Sequence, residues 1–168
     1  IPTAWFQGIN PFFVFVLGFA ISALWLRLHK IGKNPSIPVK MGMGMVFLGL
    51  GFIVMLGAVH QYSTLGVKAG MMWIIAAYFL QTIGELMLSP IGLSMITKLA
   101  PERMVSMFMG IWFLPTFLAH LMGGFIAGYS KDWGYGVTFG AIALFVIVLG
   151  LGVILLRGKL VKLMHGRG

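Results

Sequence analysis

Cysteine is absent from this sequence and carboxylate side chains are nearly so, with only three Asp and Glu residues among 168. The lack of cysteine excludes a disulfide framework, a thiolate metal site and a catalytic thiol. No Walker-type loop and no GxGxxG motif is present to hold a phosphate or a dinucleotide. The histidines are widely separated and lack metal-ligand spacing; they are His29, His60, His120 and His165. We therefore expect no bound metal, no cofactor and no enzyme activity.

Charged residues are also scarce, at 9% of the chain, whereas hydrophobic residues make up 60% and the mean hydropathy is +1.01. A soluble domain carries about a quarter charged residues. The apolar residues form five blocks long enough to cross a bilayer core, which takes roughly 20 helical residues. Strand-like alternation is absent. The sequence thus predicts an all-α, polytopic transmembrane bundle with spans at about 11–27, 38–59, 69–97, 104–128 and 135–156.

The net charge of +9 comes from basic residues that cluster beside the predicted spans, which argues for membrane topology and against nucleic-acid binding. Ten of the twelve Lys and Arg residues fall on one side of the membrane, leaving only Lys68 and Lys131 on the other. The ten are Arg27, Lys30, Lys33, Lys40, Lys98, Arg103, Arg157, Lys159, Lys162 and Arg167. By the positive-inside rule, the N-terminus of this chain lies outside and its C-terminus in the cytoplasm. We expect a multi-pass protein of the plasma (inner) membrane.

One acidic residue, Glu85, lies near the middle of the third span. A carboxylate at the bilayer centre costs at least about 2.5–3.5 kcal/mol, and such groups are usually functional. Residues at helical spacing from it form a polar stripe, while the opposite face is apolar. The stripe consists of Tyr78, Gln81, Thr82, Ser89 and Gly92.

Three roles are open for Glu85: bridging two helices, balancing the charge of a cationic ligand, or carrying a proton. Glu102 and Asp132 lie beside basic residues in predicted loops, and we expect both to be solvated. His120 is either a proton-relay group or, as we favour, a histidine hydrogen-bonded between helices. Pro90 and Pro115 fall inside spans and are expected to kink them.

Small residues four apart favour close helix packing. The pairs with this spacing are Gly124–Gly128, Gly136–Gly140 and Gly66–Gly70.

Three stretches resemble the proton-dependent oligopeptide transporters of the major facilitator superfamily. They are IPTAWFQGINPFFVFVLG (1–18), GELMLSPIGLSMITKLAP (84–101) and MGIWFLPTFLAHLMGG (109–124). The resemblance covers essentially the whole chain and implies helices eight to twelve of that fold. The domain 1–168 would then be a C-terminal bundle fragment, and the N-terminal helices would be its missing partners.

The resemblance implies that the substrates are di- and tripeptides, carried with protons across the lipid bilayer. Glu85 matches the tenth-helix glutamate that pairs with the peptide's amino terminus and helps to close the cytoplasmic gate, near Pro90. Asn10 resembles an asparagine that hydrogen-bonds the peptide, and Ser89 a small polar position beside the glutamate. Trp112 and Phe113 resemble aromatic residues that line the side-chain pocket.

The sequence departs from the family at His120, where a small or amide residue is more usual. The family's ExxERFxYY motif, its fourth-helix lysine and its seventh helix lie outside this chain. Two other interpretations stay open: a major facilitator that carries another small solute, and a membrane scaffold module that carries none.

Overall fold

The computed structural model describes residues 4–66 and 69–163, apart from the side chains of residues 4–7, 98 and 99. These residues form long α-helices joined by short connections, and no strand occurs in either described range. The helices are α1 (Ala4–Lys30), α2 (Ile37–Leu65), α3 (Met71–Leu99), α4 (Val105–Trp133), α5 (Tyr135–Leu155) and the short α6 (Arg157–Leu163).

The all-α prediction is confirmed, since α1 to α5 are long and apolar enough to cross a membrane. Each predicted span coincides with one of these helices. Two small elements were not predicted: a single 3₁₀ turn at Glu102–Met104 and α6. Lys68, His165 and Arg167, which entered the sequence argument, lie outside the described residues.

Glycine and proline set the helix boundaries. Gly66 caps α2 in the left-handed conformation with φ of 63°, and its amide donates to the Tyr62 carbonyl. Gly134 joins α4 directly to α5 with φ of 85°. Because side chains are strained at such angles, glycine suits both positions. Pro38 stands in the first turn of α2, where its missing amide hydrogen costs nothing.

Helix α2 lies between α3 and α5 and packs against both along its length. Two glycine rows make this possible. Gly42 and Gly49 face α5, whereas Gly44 and Gly51 face α3. In each row the glycines are seven residues apart, or about two turns, so each row stays on one face of the helix.

At two places in the bundle, glycine backbones from different helices approach each other closely. A methyl group at Gly84 would lie 2.6 Å from the Gly44 carbonyl oxygen, and one at Gly44 would lie 2.9 Å from the Gly84 carbonyl oxygen. Gly42 and Gly150 meet in the same reciprocal way, at 2.7 and 2.8 Å. Backbone atoms cannot rotate aside, so both contacts depend on the absence of a side chain.

The glycine pairs singled out in the sequence are not the ones at these contacts. Gly136 and Gly140 do face α2, but at ordinary van der Waals distances of 3.7 and 3.8 Å. The prediction of close helix packing at Gly66 and Gly70 was wrong, because these glycines are caps at helix ends. The same prediction for Gly124 and Gly128 was also wrong within the described chain, since a methyl group at either position would have no neighbour within 4 Å. The spacing rule identifies flat helix faces and does not show which of them has a partner.

Helices α1 and α4 are peripheral. Helix α1 packs on α3, with the Phe13 and Phe79 rings edge to face at 5.7 Å. Helix α4 touches α3 and α5 only sparsely, and within the described chain it does not pack on α2. A space is therefore left between α2 and α4.

Aromatic residues mark both ends of the bundle. At the end predicted to face outside, the Tyr129 and Trp133 rings stack at 5.7 Å, and the Trp73 indole donates to Gln61 Oε1 at 2.5 Å. At the other end, the Lys40 ammonium lies 4.5 Å from the centre of the Trp25 ring. Amphipathic rings of this kind are typical of membrane–water interfaces.

Gly84→Ala is expected to destabilise the chain by about 1–3 kcal/mol, because the methyl group would push against the Gly44 carbonyl. Gly124→Ala is the control: its methyl group meets nothing, and alanine is a better helix former by about 1 kcal/mol. Unfolding midpoints of the purified chain in detergent, followed by circular dichroism, would compare them. Equal midpoints for both variants would contradict the packing argument.

Candidate functional site

The contact between α1 and α3 is centred on two polar side chains. Asn10 Nδ2 of α1 donates to Glu85 Oε2 of α3 at 3.3 Å. Seventy-five residues separate them in sequence; Glu85 lies at the middle of α3, and Asn10 lies in the second turn of α1. The amide supplies a hydrogen bond to a carboxylate that has no cationic partner within 4.0 Å in the described chain.

A third residue extends this pair into α3. Thr82 is 1% exposed; its hydroxyl donates to the Tyr78 carbonyl at 2.7 Å and lies 3.5 Å from Asn10 Oδ1. The shorter distance is the true hydrogen bond, and the longer one is at most a weak polar contact. The hydrogen bond to Glu85 is therefore the contact that orients the Asn10 amide.

The Glu85 carboxylate faces a cavity of about 830 Å³ between α2, α3 and α4. Its walls combine polar groups from α1, α3 and α4 with apolar side chains from α2. The polar members are Asn10, Gln81, Glu85, Ser89, Thr116 and His120; the α2 members are Met45, Leu48 and Phe52. Glu85 and Ser89 are both exposed, so each can reach a molecule in the cavity.

Helix α4 forms the wall opposite Glu85 with the segment from Pro115 to His120. His120 Nδ1 lies 2.7 Å from the Thr116 carbonyl of its own helix. No hydrogen bond from this histidine to another helix occurs in the described chain. The favoured expectation of a histidine bonded between helices was therefore wrong. The ring bonds within its own helix instead.

Three predicted site residues lie away from the cavity walls. The Trp112 ring packs over Gly92 of α3, where a methyl group would overlap the indole. Phe113 is 61% exposed, and neither residue lines the cavity. Pro90 is exposed within α3, directly after Ser89. The structure thus brings Asn10, Glu85 and Ser89 to one cavity and places neither aromatic residue on its walls.

The polar stripe predicted on α3 divides among several environments. Gln81 and Ser89 line the cavity, and Thr82 is buried against α1. Tyr78 lines an adjoining cavity of about 310 Å³, which shares Gln81 and Phe52 with the larger one. The α2 wall could not be predicted from sequence, since its apolar residues do not differ in type from those that face lipid.

This arrangement suits a ligand that carries a cationic group. Glu85 offers a negative charge, and Asn10, Gln81 and Ser89 offer neutral hydrogen-bonding groups around it. The apolar wall would accommodate the rest of the ligand. The described residues contain no group of three or more His, Asp or Glu side chains able to hold a metal ion.

Comparison with known proteins decides the family. Residues 1–135 match the family model PTR2, described as the POT family. The chain belongs to the POT family. POT transporters of known structure also share its fold, so the family resemblance in the sequence is confirmed.

Among POT relatives, the chain is 41% identical over 132 residues to Peptide transporter YePEPT of Yersinia enterocolitica subsp. palearctica, covering 78% of this chain and 26% of that protein. It is 36% identical over 123 residues to Dipeptide and tripeptide permease A of Escherichia coli K12, covering 73% and 24%. A crystal structure of peptide transporter POT in complex with sulfate superposes with a TM-score of 0.86 at 35% identity, over 96% of this chain and 32% of that one. The chain thus spans about a quarter to a third of the length of these relatives.

A thiol placed in the cavity is expected to react with water-soluble reagents. The chain is naturally free of cysteine, so Ser89→Cys introduces a single thiol beside Glu85. The matched control is Val148→Cys, on a face of α5 that is exposed in the bundle and apolar. A charged maleimide should label position 89 in liposomes and leave position 148 largely unlabelled, because the reactive thiolate needs water. The cavity would not be water-filled if position 148 reacted as fast as position 89.

Proposed function

We propose that this chain is the C-terminal transmembrane bundle of a proton-coupled di- and tripeptide symporter that works by alternating access. The observation that carries the proposal is the Glu85 carboxylate, held by Asn10 at mid-span and facing a cavity. An intramembrane carboxylate of this kind is a functional group by default. Membership of the POT family and relatives named as peptide transporters and permeases support it further.

In this mechanism Glu85 binds the peptide's terminal ammonium group. Asn10 orients the carboxylate and offers its amide to the peptide backbone, and Ser89 adds a hydroxyl close by. A charge-assisted bond between ammonium and carboxylate is about twice as strong as a neutral one, which makes it the main anchor. Trp112 and Phe113 contact variable side chains when α4 moves toward the substrate.

Proton coupling uses the same carboxylate. Glu85 either carries a proton or holds the peptide ammonium, so the two cargoes compete for one group. Pro90 supports a gating role because it has no amide hydrogen, which leaves the Leu86 carbonyl without its helical partner. Bending at this point changes the angle between the Glu85 segment and the cytoplasmic end of α3.

Further helices complete the transporter. The sparse packing of α4 and its largely exposed surface support this, since a membrane helix needs partners to hold polar groups such as His120 away from lipid. The relatives are three to four times as long as the matched segment. The partners are thus the preceding helices of the same transporter, with peptides, protons and lipid as the molecules that contact it.

The location we propose is the plasma (inner) membrane, with the start of this chain outside and its end in the cytoplasm. The basic residues support this orientation: Arg27 and Lys30 lie in the last turn of α1 and Lys33 in the connection after it, whereas the opposite side has few.

Glu85→Gln is expected to lower proton-driven dialanine uptake at least about tenfold, since the charge-assisted bond to the substrate is lost. Uptake would be measured in proteoliposomes under an inward proton gradient. The protein is this chain joined to the preceding helices of the Yersinia relative. Glu102→Gln is the control, because Glu102 is exposed in the turn before α4.

Three results would contradict this proposal. Unchanged uptake by Glu85→Gln would remove the carboxylate from the mechanism. Failure of the unsubstituted protein to carry any dipeptide, with saturable uptake of another amine-bearing solute, would favour the alternative substrate class. Absence of all transport would favour a scaffold.

The orientation is tested by single cysteines on either side of the membrane. Asn34→Cys lies in the turn between α1 and α2, and Ser63→Cys near the other end of α2. An impermeant maleimide added to intact cells should label position 63 at once and position 34 only after the membrane is opened. The reverse pattern would invert the topology.

A further inference from the structure

His120 is the polar residue in the cavity that the proposed function leaves without a role. It lies on the α4 wall, and the cavity separates it from the Glu85 wall of α3. Its side chain is exposed, so the ring is accessible to a molecule that occupies the cavity.

The hydrogen bond to Thr116 determines the chemistry of the ring. A carbonyl oxygen can only accept, so Nδ1 must carry the hydrogen in the 2.7 Å contact. In the neutral ring Nε2 is then an acceptor. No described residue hydrogen-bonds to Nε2, which leaves it available to a ligand. Histidine gains a second proton within the mildly acidic range, and Nε2 then becomes a cationic donor.

Few of the described residues that line the cavity carry a titratable side chain. The other residues that line the cavity on α1, α2 and α4 carry no titratable side chain, and on α3 the only one is Glu85. No residue of α5 lines the cavity. Among the described residues that line the cavity, a protonated His120 is therefore the one positive charge, opposite the one negative charge of Glu85.

We propose that His120 is a specificity-determining residue that binds an acidic side chain of the transported peptide when its imidazole is protonated. The inference rests on the proposed function, in which Glu85 holds the ammonium end of the same peptide. A carboxylate side chain accepts a hydrogen bond from protonated Nε2. It is released when Nε2 gives up that proton. An uncharged side chain makes no such pH-dependent bond.

The test compares two dipeptides of nearly equal size, Ala-Glu and Ala-Gln, in the completed transporter. For each, kcat/KM is measured at outer pH 5.5 and 7.5 with the same imposed membrane potential. The ratio of Ala-Glu to Ala-Gln should rise about tenfold from pH 7.5 to 5.5, as expected for one charge-assisted hydrogen bond. Because the ratio is taken within one protein, changes in expression cancel.

His120→Gln keeps a polar side chain but cannot gain a charge, so its ratio should stay constant with pH. His60→Gln is the matched control, since His60 is exposed near the outer end of α2 and outside the cavity; it should keep the tenfold rise. A rise that persists in His120→Gln would overturn the inference and assign the effect to Glu85 or to another part of the transporter.

The outcomes separate the two proposals. If neither dipeptide is transported at any pH, the proposed function fails. If both are transported and the unsubstituted protein shows a flat ratio, the proposed function stands and the role of His120 is wrong. Should His120→Gln fail to reach the membrane, His120→Asn gives the same comparison, with a shorter amide.

Discussion

The contact between the Gly44 and Gly84 backbones is the constraint on which the site depends. Gly84 immediately precedes Glu85, and successive residues of a helix point about 100° apart. When Gly84 lies against α2, the rotation of α3 is fixed and Glu85 must point away from that interface, toward the cavity. Helices in lipid have no hydrophobic driving force to associate and rely on van der Waals contact. These small residues therefore determine how α3 is oriented against α2.

Asn10 and Thr82 stabilise the other side of the same segment. They hold α1 against α3 with polar contacts in a region where unpaired polar groups are costly. Glu85 is therefore positioned from both sides, by backbone contact with α2 and by side-chain contact with α1. In the proposed transport cycle this gives the substrate anchor a defined direction while leaving one face of the carboxylate free.

Much of this was predictable from sequence, for physical reasons. Spans follow from hydropathy because lipid imposes one length scale on every helix, and Glu85 stood out because charge is so rare here. Asn10 and Ser89 followed from a family resemblance whose motifs surround the site.

Helix partners could not be predicted. Gly124 and Gly128 have the right spacing but no described neighbour, whereas the observed contacts are formed by Gly42, Gly44, Gly84 and Gly150. Small size permits close approach without specifying the partner, so only the assembled bundle shows it. The histidine prediction failed similarly, since the bonding of His120 depends on what stands beside α4.

Helix α4 contacts the rest of the described bundle at few places. Trp112 packs on Gly92 near one end, and Ser130 is buried near the other. Pro115 interrupts the hydrogen-bond ladder between them. Helix α2, by contrast, is packed along two faces. Within the described chain, an occupant of the cavity would therefore displace the Pro115–His120 wall more easily than the Glu85 wall.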